Sequence, residues 1–211
     1  MADKLQRIAK YLYEGEADEV ADLVQDALDA EMAPGEILNG ALLPGMDEVG
    51  RDFKAGDLFV PEVLIAARAM QAGMNVLRPL LADSDIASAG KYVVGTVKGD
   101  LHDIGKNLVR MMLEGGGFEC IDLGTDVEPS AFVDAVREHQ PDLVGMSALL
   151  TTTMTQMKTT IEALEEAGLR DSVKIMIGGA PVTAAFAEQI GADAYAPDAA
   201  SAVDVARELK G

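Results

Sequence analysis

From residue 91 onward, short apolar runs alternate with helix-like stretches, and no other feature of the chain restricts its fold so tightly. The apolar runs are Tyr92 to Val97, Phe118 to Leu123, Leu143 to Leu149, Val173 to Ile177 and Ala192 to Ala196. The stretches 104–114, 130–139, 153–167, 182–190 and 199–210 have helical character. Alternation of this kind over five units predicts an α/β fold, an all-parallel sheet covered by helices and joined by right-handed crossovers. Five strands suit the flavodoxin-like, Rossmann-like order 2-1-3-4-5, in which ligands bind at the carboxyl ends of the strands beside strands 1 and 3.

Up to about residue 82 the period is helical instead. Val63, Ala67, Met70, Met74, Leu77 and Leu81 form one stripe, with Pro61 suited to the first helical turn. Leu5, Ile8 and Leu12 form another, and Val20, Leu23, Ala27 and Ala30 a third, with Asp18 as N-cap. Ile37, Leu38, Ala41 and Leu42 form a fourth, which breaks at Pro44-Gly45 and resumes at Met46 and Val49. A small helical bundle is expected over 1–88, and a five-stranded sheet domain over 89–211. Residues 83–90, small and polar, read as a linker between them and as the place for a hinge.

Two loops and a glycine pair stand out at the predicted carboxyl edge. Asp100-Leu101-His102-Asp103-Ile104-Gly105 follows strand 1, Ser147-Ala148-Leu149 ends strand 3, and Gly178-Gly179 follows strand 4. Residues 106–146 and 150–177 separate them, gaps of 41 and 28. A neutral histidine is a common transition-metal ligand. Alone, a histidine after a strand reads as an ordinary hydrogen-bonded loop residue. Seven fixed positions at fixed gaps, however, arise by chance on the order of once in 10⁸ starting points at typical residue frequencies.

With these residues the chain resembles the cobalamin-binding fold, whose signature is D-x-H-x-x-G, then S-x-L, then G-G. The helical half is similar to the cap bundle that precedes this fold in methionine synthase and in corrinoid proteins of anaerobic methyltransferase systems. Its segment Gly50 to Pro61 (GRDFKAGDLFVP) matches the cap that lies over the cobalt-bound methyl group, with Phe53 and Val60 as the apolar contacts. Methionine synthase has leucine at the second of these positions.

The resemblance implies a cobalamin or related corrinoid held base-off and His-on, with His102 as the cobalt ligand. It further implies that Asp100 accepts the His102 N–H and that Ser147 bonds to Asp100. By the same resemblance Gly105, Gly178 and Gly179 make room for the buried nucleotide tail, and Asp103, Ile104 and Leu149 are further contacts. Reduction of the metal would then release His102, with a proton taken up by the His–Asp pair.

The implied protein is a methyl-carrier subunit, not a complete enzyme alone. It takes a methyl group from a methanol, methylamine or methoxylated-aromatic donor through a substrate-specific methyltransferase. A second methyltransferase then passes the group to a thiol or folate, and a reductive activase is a further partner of such systems. The alternative is a cobalamin-dependent sensor without its output module. Adenosylcobalamin mutases require a substrate barrel, and a flavodoxin-like electron carrier requires a Ser/Thr-rich phosphate loop after strand 1.

Composition narrows the partners. With 17 basic and 36 acidic residues the net charge is −19, which repels nucleic acid and anionic membranes. No leader-like or membrane-spanning run is present. The single Cys120 excludes an internal disulfide, as expected of a cytoplasmic protein. Of the remaining residues, His139 reads as the end of a helix, Cys120 as a buried thiol, Met70 and Met74 as core, and Thr151-Thr152-Thr153 as a helix cap.

Overall fold

The structure, a computed structural model, describes residues 2–81 and 88–211. It divides into two compact units, a helical one of Met1–Ala87 with Gly115–Gly117 and a sheet-bearing one of Ser88–Glu114 and Phe118–Gly211. The predicted linker and hinge fall largely on 82–87, outside the described residues.

The helical unit comprises α1 (Ala2–Tyr13), α2 (Ala17–Asp29), α3 (Pro34–Ile37), a π-helical turn (Leu38–Leu42), α4 (Leu43–Ala55) and α5 (Val60–Leu81). Ile8 and Leu12 of α1 and Val20, Leu23, Val24 and Ala27 of α2 are buried, as their spacing predicts. Asp18 lies inside the first turn of α2 and does not cap it; there its charge complements the helix dipole. The break predicted at Pro44-Gly45 is absent. A π turn immediately upstream leads straight into α4, with Pro44 in its first turn. That wider turn accommodates a residue with no N–H to donate, whose ring would crowd a regular helix.

The buried seam of α5 also differs from the predicted stripe. Val63, Met70 and Leu77 are buried, but Ala66, Ala69 and Gly73 fill the positions between them, and Ala67 and Met74 are half-buried. Small side chains allow close approach here. A Cβ on Gly73 would lie 3.1 Å from side-chain atoms of Val20 on α2 and of Leu42.

The sheet unit follows the predicted alternation: β1 (Gly90–Thr96), α6 (Ile104–Gly115), β2 (Phe118–Asp122), α7 (Pro129–His139), β3 (Leu143–Ser147), α8 (Thr155–Glu166), β4 (Lys174–Gly178), α9 (Ala184–Ile190), β5 (Ala194–Tyr195) and α10 (Ala199–Lys210). All strand pairs are parallel, in the order β2-β1-β3-β4-β5. The chain steps one way from β1 to β2 and then the other way across β1 to β3, β4 and β5. Right-handed crossovers therefore put α6 on one face and α7, α8 and α9 on the other. On the latter face Phe132, Val136, Val144, Met146, Ile161 and Ile175 pack in one apolar cluster. The reversal leaves a crevice between the ends of β1 and β3.

Candidate functional site

The register brings the three sequence motifs to one line. Thr96 of β1 pairs with Ser147 of β3, and Ser147 pairs with Gly178 of β4, so all three loops leave the sheet side by side. The row is closed by the Val97 N–H donating to Ser147 O at 3.0 Å and the Ala148 N–H donating to Gly178 O at 3.3 Å. Thr96 Oγ1 donates to the His102 carbonyl at 2.9 Å, drawing the loop back over its own strand.

Asp100 is fully buried at the centre of these loops. Its Oδ1 accepts from the His102 ring Nδ1 at 2.6 Å and from the His102 backbone N–H at 3.1 Å. Its Oδ2 accepts from the Thr153 hydroxyl at 2.6 Å and the Leu149 N–H at 2.8 Å. Burial alone would push this carboxyl up, but the bonds from Thr153, Leu149 and His102 together outweigh it and hold it well below the ordinary carboxylate range.

A carboxylate on Nδ1 fixes the tautomer with the proton there and leaves the lone pair on Nε2. The His102 side chain is 50% exposed, and its Nε2 has no protein partner among the described residues. Leu101, Ile104, Leu149 and Leu150, on the two loops that hold the Asp100–His102 pair, are all exposed. No group of three His, Cys, Asp or Glu side chains that could hold a metal occurs among the described residues. One outward imidazole nitrogen amid exposed apolar side chains fits a cofactor that brings its metal in a flat, apolar macrocycle.

The second support of Asp100 differs from the sequence expectation. Ser147 does not bond to Asp100: it sits in the strand row, while both sites on Oδ2 are taken by Leu149 and Thr153. Thr153 is buried in the turn before α8, and the residue at the helix N-cap is Met154, with no side-chain cap. The threonine run, which reads as a helix cap, does not cap α8. One of its members reaches back to the carboxylate on the neighbouring loop.

The glycines separate in role. A Cβ on Gly105 would meet nothing within 4 Å, so the start of α6 borders open space. Gly179 has φ +130, and a Cβ there would lie 1.9 Å from the Ala148 carbonyl oxygen. Close packing of the β3 and β4 loops therefore already requires this glycine. A Cβ on Gly178 would lie 3.1 Å from Ala196 O. Asp103 is exposed and accepts from Asn107 Nδ2 at 3.1 Å, and Ile104 opens α6.

In the helical unit, Phe53 is half-buried in the last turns of α4 and Val60 is exposed at the start of α5. Between them Gly56 closes α4 in the left-handed conformation, and Glu62 accepts the Phe59 N–H at 3.0 Å, one half of a capping box at the start of α5. Phe59, 66% exposed, is more open to solvent than either predicted contact.

The first turn of α6 is tethered by Lys106. Its buried ammonium donates to both oxygens of Asp122, at 2.6 and 2.7 Å, and to Asn107 Oδ1 at 2.8 Å. Burial opposes ionisation of Asp122, but the Lys106 bond, the Gly124 N–H and the charges of Lys106 and Arg110 hold the carboxyl below its usual range. A carboxyl depressed on folding stabilises fully above its unfolded pKa, about 4, and loses that contribution as pH falls through the lower folded value. Asp122→Asn is therefore expected to flatten the fall in stability below about pH 4. Urea unfolding at a series of pH values measures this, and curves parallel to wild type would contradict it.

Residues 90–204 match the family described as B12 binding domain, and residues 4–78 match a second family of the same description. The chain is 46% identical over 206 residues to the dimethylamine corrinoid protein of Methanosarcina barkeri, covering 97% of this chain and 96% of the relative. It is 42% identical over 214 residues to trimethylamine corrinoid protein 1 of Methanosarcina acetivorans, covering 99% of each. It superposes on a chain from the crystal structure of the methanol:cobalamin methyltransferase complex MtaBC of Methanosarcina barkeri with a TM-score of 0.89 at 32% identity, covering 99% of this chain and 80% of that one.

Proposed function

The chain belongs to the corrinoid proteins built on the B12-binding domain, and on that premise we propose that it carries a methyl group between two methyltransferases. Its cofactor is a corrinoid, which supplies a cobalt centre able to accept and give up a methyl group. The observation that carries this reading is the outward Nε2 of His102, set by a buried Asp100 whose own oxygens are fully engaged.

His102 is the lower donor to the metal, with the cofactor's own base displaced. Asp100 holds the proton on Nδ1 and strengthens donation from Nε2. Thr153 and the Leu149 amide hold Asp100. Leu101, Ile104, Leu149 and Leu150 give the ring an apolar seat and keep water from it. The open space beside Gly105 admits the nucleotide tail, with the loops at Ser147 and Gly178-Gly179 as its walls. Residues 1–88 act as a cap domain to the cofactor-binding domain 89–211, and Phe53 and Val60 shield the methyl group.

The donor is of the methylamine class. What supports this is the class named in the relatives to which the chain is 46% and 42% identical along nearly its whole length, the dimethylamine and trimethylamine corrinoid proteins. The partners are a methylamine-specific methyltransferase, an acceptor methyltransferase for a thiol or folate, and a reductive activase. No helix of the described residues is long and apolar enough to cross a membrane, and we place the protein in the cytoplasm.

The test is to load the chain with corrinoid under reducing conditions and incubate it with carbon-13 methylamines and each methylamine methyltransferase. One pairing should methylate the loaded chain far faster than the methanol enzyme does. Methylation by none of them would overturn the carrier reading, and preference for methanol would overturn the donor class.

A further inference from the structure

The loop bearing Asp100 and His102 is gripped from a third direction, by a residue outside every motif so far considered. We propose that Asp126 is a positioning residue that fixes the backbone of Gly99 and Asp100 and so sets the aim of His102; this rests on the reading of His102 as the donor to cobalt. Asp126 lies between β2 and α7. Its Oδ1 accepts the Gly99 N–H at 2.6 Å, and its own N–H donates to the Asp100 carbonyl at 2.9 Å. One residue therefore holds the Lys98–Gly99 peptide ahead of Asp100 and the Asp100–Leu101 peptide behind it, on either side of the carboxylate-bearing residue that orients the imidazole.

The backbone conformation of Asp126 strengthens the inference. Among the described residues, three other than glycine have positive φ: Glu31, Asp126 and Gln140. Glu31 and Gln140 follow the ends of α2 and α7, where the left-handed conformation commonly terminates a helix. Asp126, at φ 54, terminates none. A non-glycine residue persists there when its surroundings hold it.

Those surroundings are a continuous lacing of the two loops. The Thr96 N–H donates to Gly124 O at 3.0 Å, and the Val127 N–H donates to Thr96 O at 3.0 Å. The neighbouring Lys98–Glu128 pair, at 2.9 Å with side chains 50% and 55% exposed, contributes little by comparison. Asp126 does not touch His102. It acts through Gly99 and Asp100, whose displacement would swing the carboxylate and the imidazole together.

The test uses the full-length chain with and without corrinoid. Asp126→Gly tolerates the positive φ and removes the whole side chain, at the cost of a freer backbone at that position, so the Asn variant isolates the loss of the charge. In the ligand-free chain, exchange of the Gly99 amide followed by NMR should quicken by roughly 10- to 100-fold, the factor a charge-assisted hydrogen bond represents. Amides of β3 should keep wild-type rates. In the loaded cobalt(II) form, the fraction showing coupling to a protein nitrogen should fall at least twofold. Asp126→Asn, which keeps an acceptor and tolerates this φ, should stand between the two.

Unchanged Gly99 exchange would overturn the proposal. So would faster exchange with undiminished nitrogen coupling, because the grip would then be structural only. Absence of protein-nitrogen coupling in the wild type would overturn the reading of His102 itself, and is recognised by that. Should the glycine variant not fold, the Asn variant decides: Gly99 exchange several-fold faster supports the grip, and wild-type exchange refutes it.

Discussion

Labelling histidine with nitrogen-15 is expected to turn the triplet superhyperfine pattern of the loaded cobalt(II) protein into a doublet. The change follows from the nuclear spin of the axial nitrogen, so it tells a protein imidazole from the cofactor's own base. His102→Ala should abolish the protein-derived splitting outright. His139→Ala should leave it unchanged. His139 ends α7 and its carbonyl accepts from Lys91 near the start of β1, at the opposite edge of the sheet. A triplet that survives labelling would mean that the lower ligand comes from the cofactor.

The second large effect is expected at the support of that histidine. Asp100→Asn replaces one acceptor oxygen by an NH₂ group facing N–H and O–H donors. It also removes the charge that raises the basicity of Nε2. Loss of such an outer partner weakens metal affinity or turnover by roughly 10- to 100-fold. Thr153→Val, which deletes one of the four bonds to Asp100 while leaving the Leu149 amide in place, should give a smaller loss of the same kind. Ser147→Ala should keep wild-type cobalt spectra and methylation rates, since its hydroxyl does not bond to Asp100. Corrinoid retention and single-turnover methylation measure all three. A Ser147 variant worse than the Thr153 variant would reverse the assignment.

The fold was legible because β/α alternation and right-handed crossovers leave few ways to order five parallel strands. The carboxyl edge was legible for the same reason, and with it the convergence of Asp100, Ser147 and Gly178. What escaped the sequence depends on where a turn sends one side chain. Three consecutive threonines are equivalent on paper, and only the turn from Leu150 to Met154 selects Thr153 to face Asp100. The α5 seam escaped for a related reason. Periodicity favours the larger Met74, whereas close packing against α2 favours Ala66, Ala69 and Gly73. The resemblance implies room for a nucleotide tail at Gly179, and the contact with the Ala148 carbonyl, a second demand on the same glycine, depends on how two loops pack. Asp126 offered no signal, because positive φ at a single aspartate has no sequence period.

The carboxylate of Asp100 also imposes an order of assembly. Two of its donors, Leu149 and Thr153, lie 49 and 53 residues further along the chain. The His102 loop is synthesised before them, yet its carboxylate lacks half of its hydrogen bonds until β3 has docked beside β1. Closing a loop of that length carries an entropic cost that only the docked sheet repays. During synthesis and refolding the imidazole is therefore still mobile while the cofactor crevice lacks one wall. A rigid nitrogen donor and a completed crevice arise in the same step, so a half-made chain offers free corrinoid neither.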